Sequence, residues 1–277
     1  MRIVTDSTVD LPSSLVEKYN IEIVPLKVQL GEETYRDYFE IEADKFYQKL
    51  RSTTVFPTTT QPSPQDFLEV YQRVSRENDC VISLHISSKL SGTYQSAIIA
   101  SQRLLTSKVY VIDSKQASVG LGLIVLAVAH AIEKGRKKEE ILQLIDELTK
   151  KIRTFFSVDS LEYLQRGGRI GKAQAFLGTI LKIKPLLTLV EGEIHPVEKI
   201  RGEGRLLKRM AQLVEDEVSK GKIKMGLIYT DNEETMSILS QYLERIENLE
   251  IVYKGRAGGV ITSHTGPGTI GISYYNE

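Results

Sequence analysis

Residues 81–105 read VISLHISSKLSGTYQSAIIASQRLL. The first six, 81–86, form a short apolar run with β-branched members, the pattern of a buried strand. Residues 92–105 are rich in Ala, Ser and Leu and predict a helix. Between them lies Ser87-Ser88-Lys89-Leu90-Ser91-Gly92-Thr93, so several hydroxyls and a glycine sit where a strand hands over to a helix N-terminus. The first turn of a helix has unpaired N–H groups and a partial positive charge, which attract carboxylate or phosphate. In open α/β sheets ligands gather beyond the carboxyl ends of the strands. The expectation is an anionic group held here, with Ser91 as a donor and Gly92 and Thr93 at the helix start. The plainer reading makes Ser91 the helix cap, and a cap is compatible with a ligand.

On the N-terminal side the same alternation repeats. A strand at 2–5 ends at Asp6-Ser7-Thr8, and a helix starts around Asp10-Leu11-Pro12, with Pro12 suited to its first turn. Residues 21–28 predict a strand interrupted by Pro25. A turn at 31–33 and a returning segment at 34–38 suggest a hairpin, and 44–50 a helix. Residues 52–64, STTVFPTTTQPSP, read as a stiff hydroxyl-bearing loop leading into a helix opened by Ser63-Pro64. Further on, a strand at 108–112 ends at Asp113-Ser114, and helices follow at 117–134 and 138–151. The first of these is apolar nearly all round and is expected to be buried. Strands alternating with helices imply a three-layer α/β/α domain with a parallel sheet over residues 1–153.

The pattern changes after Arg153. A strand at 155–158 precedes a short helix at 161–164 that runs into Arg166-Gly167-Gly168-Arg169. Residues 178–183 lead to apolar runs at 185–190 and 194–200, separated by Glu191-Gly192-Glu193, which predicts a hairpin. Helices at 203–220 and 232–243, the second capped by Asp231 or Asn232, alternate with strands at 225–229, 250–253 and 270–274. Residues 154–277 thus read as a two-layer α+β domain with a mixed sheet.

Lys plus Arg and Asp plus Glu are 36 each in 277 residues, so net charge is zero. That balance argues against broad electrostatic binding of nucleic acid. The single cysteine, Cys80, cannot form an intrachain disulfide and reads as a small buried apolar residue. No Cys/His cluster has zinc spacing, so neither metal nor cofactor is expected. Asp6 interrupts any apolar leader, and the most apolar segment, 117–132, is too short to span a bilayer. A cytoplasmic protein is expected.

Two further groups invite chemistry. His264 closes an apolar run and precedes Thr265-Gly266-Pro267-Gly268, a loop that can hold the imidazole at a cleft rim; the plainer reading is a strand-end histidine bonded to backbone. Arg166, Arg169, Arg201 and Arg205 lie beside glycines and suit bidentate contact with phosphate or carboxylate, although basic residues also favour helix C-termini. There is no Walker A sequence and no G-x-S-x-G elbow. A Ser91 nucleophile with a His264 base would make a hydrolase or acyltransferase, but no orienting acid is identified. A phosphate-ligand sensor built on Arg169 and Arg201 is a third reading.

Taken together the motifs resemble the DegV family of bacterial fatty-acid-binding proteins, which includes the binding subunits of fatty acid kinase. The matching segments are Asp6-Ser7-Thr8, Thr58-Thr59-Thr60-Gln61-Pro62-Ser63, Ser87 through Ala97, Asp113-Ser114, Leu161-Glu162-Tyr163-Leu164 with Arg166-Gly167-Gly168-Arg169, and His264-Thr265-Gly266-Pro267-Gly268. They occur in the family's order and span almost the whole chain. The resemblance implies two domains with a long-chain fatty acid between them. It implies a carboxylate held by Thr59 and Ser91 with His264 beside them, and phosphate or partner contacts at Arg169 and Arg201. It implies a separate ATP-dependent kinase subunit that converts the bound acid to acyl phosphate, and it leaves room for transient membrane contact. One departure is Thr60, where the family pattern has serine; a hydroxyl is kept.

Overall fold

The computed structural model describes residues 1–104, 108–178 and 183–277. The chain begins β1 (Arg2–Asp6), α1 (Ser13–Lys18), β2 (Glu22–Val24), β3 (Lys27–Leu30), β4 (Glu33–Arg36), α2 (Ala43–Ser52), β5 (Thr58–Thr60), α3 (Pro64–Val74). It continues β6 (Cys80–His85), α4 (Thr93–Ser101), β7 (Lys108–Asp113), α5 (Val119–Glu133), α6 (Lys138–Lys151). Then come β8 (Arg153–Ser157), α7 (Glu162–Arg166), β9 (Ile183–Val190), β10 (Glu193–Arg201), α8 (Glu203–Val218), β11 (Ile223–Tyr229), α9 (Glu233–Leu243), β12 (Leu249–Arg256), α10 (Gly259–Thr265) and β13 (Ile270–Asn276). Short 3₁₀ turns cover Ser7–Val9 and Gly171–Phe176.

The first sheet is parallel, in the order β2-β1-β6-β7. Helices α3 and α4 pack on one face with Val4 and Val81; α5 and α6 cover the other with Ile3, Ile82 and Leu84. The second sheet runs β10-β9-β8-β13-β11-β12 and is mixed, because β11 and β12 alone among its pairs are parallel. These are the parallel and mixed sheets expected. The chain passes from one to the other at Arg153.

Alternation along the second sheet explains what each face does. In β11 and β13 the residues Met225, Leu227, Ile272 and Tyr274 point to α8 and α9 and form one core with them. Their neighbours Gly226, Ile228, Gly271 and Ser273 point the other way, since successive side chains in a strand alternate faces. That second face receives α5. Val119, Leu123, Ile124 and Val128 of α5 share a cluster with Ile3 and Ile82 of the first sheet and with Ile228, Tyr253 and Tyr275 of the second. A helix pressed between two sheets buries nearly its whole circumference, which accounts for its apolar sequence; only residues toward its end, such as His130 and Glu133, are exposed. The inner face is built partly of glycine: a Cβ at Gly226 would lie 2.6 Å from Val119 Cγ2. Small residues there let α5 approach and leave room beside it.

Several expectations need correction. The strand foreseen at 21–28 is two strands in different sheets: β2 joins the parallel sheet, while β3 pairs with β4 and β5 in a small third sheet. Pro25 cannot donate to a ladder and marks the switch. The threonine-rich loop contains a strand, β5, pairing antiparallel to β3. Cys80 opens β6 half-buried rather than sealed in the core. Leu105, the foreseen end of α4's helix, and residues 179–182 of the foreseen 178–183 segment lie outside the described residues; α4 itself ends at Ser101. Among the described residues no helix is long and apolar enough to cross a membrane.

Candidate functional site

The turn between β6 and α4 is held by Ser87. Its carbonyl accepts the N–H groups of Leu90 at 2.9 Å and Ser91 at 3.0 Å, and its Oγ accepts Lys89 N–H at 3.1 Å. This aims Ser91 into a cavity between the two sheets. Ser91 is not the helix cap: the cap position is Gly92, and Ser91 Oγ sits one residue earlier, 2.8 Å from Thr93 Oγ1 and 3.3 Å from Thr93 N. Gly92 packs closely against the threonine strand. The Gln61 amide lies on it, so that an added Cβ would fall 2.1 Å from Gln61 Oε1. Gln61 Nε2 also donates to Ser96 Oγ at 3.2 Å. The threonine strand is thereby docked on the start of α4, bringing Thr59 toward Ser91.

His264 arrives from α10. It was expected on a strand-end loop, but it occupies the last turn of a short helix that begins after Gly258. That helix is anchored by two buried carboxyls. Asp10 Oδ1 accepts Gly258 N–H at 2.8 Å and Asp37 Oδ1 accepts Gly259 N–H at 2.9 Å. His264 Nε2 lies 2.7 Å from Thr59 Oγ1. Its Nδ1 is sealed from solvent with no partner and faces Gly167, where a Cβ would come within 2.3 Å. Burial first, and the nearby Arg169 charge second, push the imidazole pKa down to about 4. The ring is therefore neutral near pH 7 and carries one proton. A buried N–H without an acceptor costs more than a buried bare lone pair facing a backbone CH₂. The network thus assigns the proton to Nε2, donating to Thr59 Oγ1 and leaving the threonine's own O–H free for a ligand.

Arg169 completes the cluster. Its Nε donates to Leu90 O at 2.9 Å and its Nη1 to Gly167 O at 2.5 Å. One guanidinium thus braces both the Ser91 turn and the glycine beneath His264, and it also lines the cavity. Arg201 does not join it. It ends β10 opposite Ile183, is exposed, and is absent from the cavity wall.

The rest of the cavity wall is mainly apolar, with a few hydroxyls: Leu26, Ile86 and Val260 come from the first half and α10, and Phe156, Leu189 and Ile194 from the second sheet. Ile228 and Gly271 of the glycine-bearing inner face lie beside Val119 at the root of α5. The cavity volume is about 100 Å³. Sequence reading missed Ser118, which also lines the space. It holds φ 50° in a non-glycine residue, and its Oγ donates to Asp10 Oδ2 at 2.5 Å. Only the polar run before α5 hinted at it.

A second constellation has the order of a catalytic triad without its exposure. Asp6 Oδ2 lies 3.0 Å from His85 Nδ1, His85 Nε2 lies 2.7 Å from Ser83 Oγ, and Tyr71 OH lies 2.7 Å from Ser83 Oγ. Asp6, Ser83 and His85 are fully buried, and Asp6 also accepts Ile86 N–H at 3.0 Å. This chain of hydrogen bonds fastens β1 to β6 and β6 to α3. The Ser91–His264 pairing of an esterase is not formed either, since the imidazole is bonded to Thr59 and Ser91 to Thr93. Among the described residues no group of three or more His, Cys, Asp or Glu side chains is placed to hold a metal.

A family model described as "Uncharacterised protein, DegV family" matches residues 1–277. The chain belongs to the DegV family. A DegV family protein from Thermus thermophilus, whose structure is described as fatty acid binding, superposes with a TM-score of 0.94 at 42% identity, covering 100% of both chains. A stearic-acid-binding protein from Eubacterium ventriosum superposes with a TM-score of 0.91 at 32% identity, covering 100% of this chain and 98% of that one. A relative from Thermotoga maritima named fatty acid-binding protein is 36% identical over 283 aligned residues, 98% of this chain and 96% of its own length. The likeness in sequence and fold runs the full length of both layers, so the cavity of this DegV protein lies within the matched region.

Proposed function

We propose that this chain binds one long-chain fatty acid in the cavity between the two sheets. It would present the carboxylate to a separate ATP-dependent kinase subunit, which forms the acyl phosphate. The supporting observation is the cavity's chemistry: an apolar wall meeting Thr59, Ser91, His264 and Arg169 at one place. A buried carboxylate requires donors. The free Thr59 hydroxyl and the Ser91 hydroxyl supply them at the start of α4, with Arg169 as nearby positive charge. Each charge-assisted bond contributes about 1.5–3 kcal/mol, and each buried methylene about 0.8 kcal/mol before ordering costs. DegV relatives described as fatty-acid-binding support the ligand class.

On this reading the protein is a carrier without a cofactor of its own, working in the cytoplasm and touching membranes only to exchange lipid. Residues 1–153 and 154–277 act as its two domains, and Arg201, outside the cavity, is a partner contact. The test is lipid extraction from the purified protein followed by mass spectrometry, then titration with hexadecanoic and oleic acids. A fatty acid in the extract and saturable binding are expected; neither appearing would overturn the lipid assignment. For the second half, the loaded protein is incubated with ATP and the ATP-binding subunit of a fatty acid kinase. Failure to form acyl phosphate would overturn the kinase assignment alone.

A further inference from the structure

Ser87 makes one contact that the turn itself does not need. Its hydroxyl donates to Gly192 O at 2.8 Å, across 105 residues and from one sheet's loops to the other's hairpin. Both residues are buried. Gly192 is at the tip of the β9–β10 hairpin with φ +81°, and a Cβ there would lie 2.2 Å from Ser87 Oγ. Beside it, Lys115 and Glu191 form an ion pair between the same two regions. The hairpin is part of the cavity wall, since Leu189 and Ile194 flank its tip. Ser87 is also the residue whose carbonyl accepts the Leu90 and Ser91 amides.

We infer that Ser87 is a positioning residue: its hydroxyl locks the hairpin tip to the turn that presents Ser91, so the wall of the second sheet helps set the head-group donor of the first. The inference rests on the fatty-acid reading for its ligand arm only. Gly192 touches neither Ser91 nor any other member of the head-group cluster. Disturbing it should nevertheless reach Ser91 through Ser87.

The experiment uses Ser87→Ala, Gly192→Ala and the double variant of the full chain. Amide hydrogen exchange needs no ligand. In Gly192→Ala, exchange at Leu90 and Ser91 should quicken about fivefold, the effect of one buried hydrogen bond. Exchange at Ser96, further along α4, should be unchanged. The ligand arm compares Kd for hexadecanoic acid with Kd for hexadecan-1-ol. A loosened head-group turn lowers the preference for the acid about fivefold in each single variant, whereas a general loss of stability weakens acid and alcohol alike. In the double variant the missing Oγ removes the clash with the new Cβ and leaves only the strain of an alanine at φ +81°, so the combined loss of preference should fall short of the sum of the two single-variant effects. Unchanged exchange at Leu90 and Ser91 in Gly192→Ala, or single-variant effects that simply add, would overturn the inference. Absence of acid binding by the unmodified protein would instead overturn the fatty-acid reading and leave the exchange result to decide this one.

Discussion

The groups at the two ends of α10, Asp10 and Asp37 at its start and His264 in its last turn, are shifted in opposite senses. Burial pushes Asp37 from its ordinary value up to about 6, and Asp10 is raised well above the carboxylate range for the same reason. A carboxyl raised on folding binds its proton more tightly in the native state, so its contribution falls as pH rises through about 4 to 6. His264 is depressed to about 4; a depressed base binds its proton less tightly when folded, so stability rises with pH from about 4 to 6.5. At about 1.4 kcal/mol per pKa unit the histidine amounts to about 3 kcal/mol over that window. His264→Phe should therefore turn the urea midpoint into a steeper decline between pH 4 and 6.5 than the unmodified protein shows; parallel curves would refute the assignment. At the ligand, Ser91→Ala and Thr59→Ala should each weaken fatty-acid binding about tenfold or more, the size of one charge-assisted bond, as measured by calorimetry. Unchanged affinity in both would move the head group elsewhere. Ser91 was legible because hydroxyls and a glycine cluster at a strand-to-helix junction, whereas Thr59 was singled out of its threonine run only through the family resemblance. The role of His264 was less legible. Nothing local reveals that its ring nitrogen meets Thr59, 205 residues away, or that Gly167 is small in order to admit it.

Among the elements, α5 was the easiest to read and α10 the hardest. An apolar run without a polar face admits only burial on all sides, and α5 is pressed between two sheets. Residues 259–265, Gly-Val-Ile-Thr-Ser-His-Thr, are rich in β-branched side chains that favour strands. They form a helix because Asp10 and Asp37, far away in sequence, accept the N–H groups at its start. The inner face of β13 makes a testable claim. A Cβ at Gly271 would lie 2.9 Å from Ile228 Cγ2 and 3.3 Å from Phe156 Cβ, all three residues lining the cavity. Gly271→Val should fill that end and reduce affinity for hexadecanoic acid at least tenfold, while a shorter acid loses less; equal losses for both would mean that the strand has shifted rather than the cavity shortened.

For the molecule as a whole, the shared position of α5 predicts how it comes apart. One cluster contains residues of both sheets, so the ligand-free protein should melt in a single calorimetric transition. Saturating fatty acid should raise its Tm by mass action, about 2.7 kcal/mol at a hundredfold excess over Kd. Two resolved transitions would show that the halves fold independently. The arginines separate at this scale too. Arg169→Ala should impair lipid retention as well as phosphorylation, because Arg169 braces the Ser91 turn, whereas Arg201→Ala should keep its lipid and lose only transfer by the kinase. Lipid loss from Arg201→Ala would place that side chain in the pocket. The two sheet types and the break near Arg153 could be read from alternating strands and helices. That the halves share one helix could not, because sequence shows how apolar α5 is and not what covers each side.

That shared helix also bears on how such chains can recombine. A crossover between two relatives at residue 153 would join sheets of different parentage around one α5, whose Val119 must fit Gly226 of the second sheet while its other residues fit Ile3 and Ile82 of the first. Hybrids cut there mismatch that seam, and with it the contacts that α10, Arg169 and the β9–β10 hairpin make with the first half, however the halves are chosen. Grafting the α8–α9 layer with the outward residues of β11 and β13 leaves both seams intact, and is the exchange this architecture tolerates.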